Sequence, residues 1–147
     1  MDAIRRSGLA RQGGRGVGLV IVLRYGVAIL LALHGLIHAL GFAATWRLGQ
    51  ITAIASTPTF PSGLVAGSAL PRFLGVLWLL LTLAFISAAV GLATKTAWWK
   101  GLLIVATVVS LALCIAWWND AKFGFAIGIL ILMVLAAARW VVRPRPA

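Results

Sequence analysis

Acidic residues are almost absent from this chain of 147 residues, which has two Asp or Glu against 13 Lys or Arg. The two acids are Asp2 and Asp120, and the sequence contains no glutamate. The chain therefore lacks the paired carboxylates that many hydrolases use for acid–base catalysis. It also lacks the carboxylate that intramembrane proton relays use most often.

Cysteine is equally scarce, since Cys114 is the only one and lies inside an apolar run. An intramolecular disulfide and a cysteine metal cluster are both excluded. The sequence contains no phosphate-binding loop, dinucleotide fingerprint or nucleophile–base pair. These absences weigh against an enzyme without deciding the question.

Hydrophobic residues, in contrast, make up 63% of the chain, charged residues 10%, and the mean hydropathy is +1.08. A soluble domain is about half apolar. The apolar residues form four runs, each long enough to cross a bilayer, which takes about 20 helical residues. The predicted helices cover about residues 17–45, 71–93, 98–118 and 121–142. We expect an all-α, integral membrane four-helix bundle, with residues 1–147 as a single transmembrane domain.

The basic residues lie beside these runs, and their distribution predicts the orientation. One side would hold nine of them: Arg5, Arg6, Arg11, Arg15, Lys95, Lys100, Arg139, Arg143 and Arg145. The other side would hold Arg47, Arg72 and Lys122, while Arg24 lies within the first helix and is expected to snorkel. The more basic side is cytoplasmic by the positive-inside rule. Such juxtamembrane positions favour contact with membrane lipid and argue against nucleic-acid binding.

The connections complete the predicted topology. Residues 1–16 form a basic N-terminal arm, and residues 46–70 form an extracytoplasmic loop whose Pro58 and Pro61 disfavour helix. The other two connections are short, which favours antiparallel neighbours and an up-down-up-down bundle. Both termini are then cytoplasmic. The predicted location is the inner (plasma) membrane, as a multi-pass protein.

The two histidines, His34 and His38, share one face of the first helix because they are four residues apart. A stable metal site needs a third or fourth protein ligand, which the two histidines lack. They also share one helix face and so cannot bind both sides of a haem. Neither a metal nor a cofactor is therefore predicted. As proton carriers or ligand anchors they suit the task, because histidine titrates near neutral pH. The remaining interpretation is interhelical hydrogen bonding. Its candidate partners are Thr82, Ser87, Thr107 and Ser110.

Further candidates lie toward the extracytoplasmic side. Trp78 falls at the depth of His38, and the two are expected to line a small pocket with Ser110, or else to be packed core. The segment WWNDAKFGF contains Asp120 and Lys122. Asp120 has three interpretations: a helix cap, an ion-pair partner of a basic residue, or a catalytic acid. Lys122 is interpreted as the partner of Asp120 or as a snorkelling cation.

The chain resembles small four-helix bacterial membrane proteins of DoxX-like layout. Four segments carry this resemblance: HGLIHALGF, the proline-bearing loop, PRFLGVLWLL and WWNDAKFGF. His38 stands where many of those carry lysine. The resemblance implies a compact four-helix bundle of the kind sometimes associated with quinone-linked or redox membrane complexes. It also implies motif roles for His34, His38, Asp120 and Lys122.

The leading functional hypothesis is a small membrane protein that acts as an accessory subunit of a larger complex or binds an apolar ligand, a lipid or a quinone. The alternative is a small membrane enzyme or proton-coupled carrier that uses His34, His38 and Asp120.

Overall fold

The computed structural model describes residues 2–49 and 69–141, with side chains for 18–49 and 69–138. Four α-helices account for nearly all of this part: α1 (Asp2–Thr45), α2 (Leu70–Ala93), α3 (Trp99–Ala116) and α4 (Trp118–Val141). These ranges contain no strand, so the all-α prediction is confirmed. The predicted loop over residues 46–70 falls mostly outside the described residues.

Each helix includes a segment long and apolar enough to cross a membrane: Gly18–Thr45, Leu70–Ala93, Trp99–Ala116 and Trp118–Ala138. The four predicted spans therefore correspond to four observed helices. Two boundaries differ from the prediction. α1 begins at Asp2 and not near residue 17, where the prediction placed its start. Hydropathy locates the apolar segment of a helix, but the helix can extend beyond that segment. α3 and α4 are separated only by Trp117.

The helices pack in chain order, α1 against α2, α2 against α3 and α3 against α4. Within the described residues the backbones of α1 and α4 do not approach each other closely, nor do those of α1 and α3. α4 is thus held along α3 alone. An open seam remains between α1 and α4.

Glycine permits the close approach of α1 and α2. A Cβ added at Gly35 would lie 2.7 Å from the Cβ of Phe85, and one added at Gly41 would lie 2.8 Å from the Cγ of Trp78. Neither distance is tolerable for a real side chain. These two glycines therefore serve helix packing inside the bundle. On α4, Gly128 similarly faces Leu111 of α3.

Basic residues in left-handed backbone terminate α1 and α2. Arg47 and Lys95 have φ of 53° and 60°. The following amides donate back across the turn, Leu48 to the carbonyl of Ala43 and Thr96 to that of Gly91, which is the Schellman pattern. A cation at this position also opposes the negative end of the helix dipole. These turns end both helices without glycine at the left-handed position.

We expect Gly35→Ala to lower the free energy of unfolding by about 1–3 kcal/mol, because the added methyl forces α1 away from Phe85. The matched control is Gly26→Ala on the same helix, where nothing lies within 4 Å of the new Cβ. That substitution should be neutral or stabilising by up to about 1 kcal/mol. Unfolding of both variants in mixed detergent micelles by circular dichroism measures the difference. Equal stabilities would contradict the close approach.

Candidate functional site

Both histidines of α1 lie inside the bundle, with His38 3% exposed and His34 7%. The spacing of four residues puts them on one face, and that face is directed at α2 and α3. The expected interior position is confirmed. Polar side chains turned toward hydrocarbon would have no partner, and each would cost several kcal/mol.

His38 uses both ring nitrogens. Its Nδ1 lies 2.9 Å from the carbonyl oxygen of His34, and its Nε2 lies 2.8 Å from Oγ of Ser110 on α3. A carbonyl only accepts, so Nδ1–H donates to it, and in the neutral ring Nε2 accepts from the Ser110 hydroxyl. Of the four predicted partners, Ser110 is the one that bonds His38. The contact ties α1 to α3.

His34 is surrounded differently. Its ring lies edge-on to Phe85 and to His38, with centroid distances of 4.9 Å in both cases. Its Nε2 is buried and has no hydrogen-bond partner. One histidine of the pair is therefore satisfied by the fold, and the other carries an orphaned nitrogen.

Trp78 lies at the level of His38, as predicted, but the two rings pack instead of lining a pocket. Their centroids are 5.2 Å apart, and Trp117 stands edge-on to Trp78 at 5.7 Å. Phe85 fills the side toward His34. Of the two predicted alternatives for Trp78, His38 and Ser110, a small pocket or packed core, the structure has packed core, because aromatic rings from α2 and from Trp117 fill the space. Trp78 Nε1 is buried there without a partner.

A cavity of about 670 Å³ lies on the other side of His34, in the seam between α1 and α4. We call it the α1–α4 groove. Its walls come from both helices, and Leu92, Trp99 and Leu103 contribute from α2 and α3. The lining is hydrophobic apart from two side chains, those of His34 and Arg24. This volume and composition are typical of a small-molecule site.

Sequence analysis did not assign Arg24 to a site. The structure gives it a place in the α1–α4 groove, with Nε buried and lacking a hydrogen-bond partner. Its guanidinium carbon lies 5.0 Å from the centroid of the Tyr25 ring. In the sequence, the one indication of such a position is that Arg24 lies six residues inside the apolar segment that begins at Gly18. Intramembrane cations of this kind mark functional sites by default.

Asp120 and Lys122 are not brought to this groove. Both are exposed in the first turns of α4, and Lys122 Nζ lies 6.0 Å from the Phe123 ring centroid. Asp120 still adds negative charge to a helix start, which opposes the helix dipole. Asp120 is thus exposed at the start of α4, whereas His34 and His38 are both buried.

Metal ligands do not cluster in the described part of the chain, where no three His, Cys, Asp or Glu side chains are grouped. Cys114 is buried as a free thiol. The histidines lie edge-on with centroids 4.9 Å apart, and His38 Nε2 already faces Ser110. The pair takes part in hydrogen bonding through His38 and in ring packing through His34.

The chain matches no protein-family model, no curated protein and no solved structure.

Ser110→Ala should lower the free energy of unfolding by about 1–3 kcal/mol, because it leaves His38 Nε2 buried without a donor. Ser87→Ala is the matched control, since Ser87 is exposed on α2. Detergent-micelle unfolding of the two variants tests this. A loss no greater for Ser110→Ala than for Ser87→Ala would show that the hydrogen bond contributes nothing.

Proposed function

We propose that this protein is a four-helix membrane protein that binds an apolar ligand, a lipid or a quinone, in the α1–α4 groove. The observation that carries the proposal is the groove itself, a cavity of about 670 Å³ between two helices whose lining is almost entirely hydrophobic. A cavity of this size and lining fits a ligand with a long apolar part.

Four membrane-length helices support insertion into the inner membrane as a multi-pass protein. Contacts at the two ends of the helices support an up-down-up-down arrangement. At one end Trp46 Nε1 donates to the Arg72 carbonyl, and Trp78 packs against Trp117 nearby. At the opposite end Gly91 of α2 faces Trp99 of α3. The basic residues then concentrate on the side of Trp99. By the positive-inside rule that side and both termini are cytoplasmic.

An accessory role beside a larger membrane complex is the companion proposal, and it rests on the resemblance to DoxX-like proteins. A proton-coupled carrier has less support. Both nitrogens of His38 are engaged, and Asp120 is exposed at the start of α4. A relay through His34, His38 and Asp120 would need these groups in sequence.

The predicted orientation is testable with a C-terminal reporter. Because four spans return the chain to the basic side, a fusion after Ala147 should be active as a cytoplasmic fluorescent protein and inactive as a periplasmic phosphatase. Fusion after Gly49, at the far end of α1, should give the reverse pattern. Phosphatase activity from the C-terminal fusion would contradict the topology.

The α1–α4 groove should be blocked by Ala138→Trp, because Ala138 lines it and indole has the bulk to occupy it. Ala136→Trp is the matched control: it is exposed on the same helix, two residues away, and does not line the groove. Apolar molecules that co-purify with each variant are extracted and quantified by mass spectrometry. We expect a specific molecule to be lost from Ala138→Trp, by about tenfold or more, and kept by Ala136→Trp.

Two outcomes would sink the binding proposal: identical extracts from the two variants, or a wild-type extract that contains only bulk lipid in membrane proportions. The folded state of each variant is checked by its circular dichroism and by a single size-exclusion peak.

A further inference from the structure

The α1–α4 groove has an almost wholly hydrophobic wall, and this restricts which part of a ligand can lie inside it. The polar atoms beside the groove, Nε of Arg24 and Nε2 of His34, are buried and offer no open surface. A polar head group inside the groove would lose its hydrogen bonds to water without gaining partners. The part of the ligand that lies in the groove is therefore a hydrocarbon chain.

The groove has a depth of about one membrane leaflet. α4 lines it over residues 127–138, a rise of about 16 Å, whereas half of the hydrocarbon core of a bilayer measures about 15 Å. α2 and α3 contribute only near their shared turn, through Leu92, Trp99 and Leu103. We call this the Trp99 end of the groove. The other end lies near the middle of the membrane, so the head group of an occupant belongs at the Trp99 end.

The volume of the groove decides between a lipid chain and a protein segment. A helix about 10 Å across takes up roughly 1,200 Å³ over about 16 Å of its length. The groove holds about 670 Å³, which falls in the range of small-molecule sites. A hydrocarbon chain fits into this space, whereas a helix of a second copy or of another protein does not.

Cations lie next to the Trp99 end. Lys95 follows the lining residue Leu92 by three positions, and Lys100 follows Trp99 directly. Both lysines are exposed, and the Lys100 ammonium lies 5.7 Å from the centroid of the Trp99 ring. Exposed lysines at a membrane surface attract anionic lipid head groups.

The two acids of the chain are too far away to compensate these lysines. Asp120 lies in the first turn of α4, at the opposite end of that helix from the Trp99 end. Asp2 precedes Leu23, the first lining residue of α1, by 21 residues, a rise of about 30 Å. A negative charge at the Trp99 end therefore has to come from the occupant.

We infer that the α1–α4 groove binds an anionic phospholipid of the leaflet on the Trp99 side, with an acyl chain in the groove and the phosphate at Lys95 and Lys100. By the positive-inside rule this is the cytoplasmic leaflet. The inference rests on the proposed function, since it names the ligand of the same groove. A zwitterionic phospholipid and a neutral quinone are the competing occupants, because both bring hydrocarbon without the charge.

Three probes separate these occupants. Dioleoyl phosphatidylglycerol is anionic, dioleoyl phosphatidylcholine has the same chains without net charge, and ubiquinone with eight isoprene units is neutral. Each is titrated into the delipidated full-length protein in detergent micelles, and native mass spectrometry gives the fraction that carries one adduct. A cation at a membrane surface contributes about fivefold in affinity. With two lysines, phosphatidylglycerol should bind about 25-fold more tightly than phosphatidylcholine.

Charge variants assign the head group. The double substitution Lys95→Gln and Lys100→Gln should reduce the affinity for phosphatidylglycerol to that for phosphatidylcholine and leave the latter unchanged. Lys122→Gln is the matched control, since it removes an exposed cation at the opposite end of α4, and it should change nothing.

A groove variant assigns the chain. Val134 lines the groove and is 59% exposed, so the fold should accept Val134→Trp while the indole fills the groove. Binding of both phospholipids should fall about tenfold or more, and Ala136→Trp, on the same helix outside the groove, should keep it. Circular dichroism checks that each variant is folded.

Each contrary result overturns a stated part of the inference. Equal affinity of the wild type for the two phospholipids removes the anionic head group, and tighter binding of the quinone removes the phospholipid. Wild-type retention of phosphatidylglycerol by Val134→Trp places the lipid outside the groove. If no probe is retained, the inference fails. The proposed function fails with it only if Ala138→Trp also leaves the co-purified molecules unchanged.

Discussion

The hydrogen bond between Ser110 and His38 is the contact on which the arrangement of the first three helices depends. The backbones of α1 and α3 do not approach closely in the described residues, so side chains have to bridge them. His38 does so from a fixed position, since its other nitrogen is held by the carbonyl of His34 and its ring packs on Trp78 and Phe85 of α2. In a hydrocarbon surrounding, no water competes for these bonds. The His38 imidazole therefore contacts all three helices.

The fourth helix lies outside this constraint, and the α1–α4 groove is its consequence. α4 packs along α3 through Gly124 and Gly128, whose missing side chains admit Cys114 and Leu111. Nothing comparable draws α4 toward α1 in the described residues. His38 lies inside the core, whereas His34, one turn away on the same face of α1, lies at the edge of the open seam. Two histidines with the same local sequence context differ because one meets α3 and the other meets the seam.

The sequence was sufficient for the helices and for the interior position of the histidines, because both follow from the cost of polar groups in hydrocarbon. Four apolar runs in a chain of this length leave no other regular structure. The sequence was not sufficient to predict the α1–α4 groove. Two interpretations of the region around Trp78 were open, a small pocket and packed core, because depth along the helices does not say whether rings interlock. In the structure Trp78 and Trp117 do interlock. The packing of α4 on α3 and not on α1 is not encoded in the periodicity of the sequence.

Arg24 was expected to snorkel, and the structure leaves it partly exposed with its Nε buried and unpartnered. His38 differs from it in the partners that the fold supplies. The fold provides His38 with two partners, as expected of a polar residue kept for structure. It provides none for Arg24 Nε or His34 Nε2, although each orphaned group costs about 1–3 kcal/mol against a total stability of only about 5–15 kcal/mol. Leucine at position 34 would remove that cost without disturbing the bond to Ser110. A chain that needed only to fold would gain from the replacement, and the described fold does not account for the polar atom at this position.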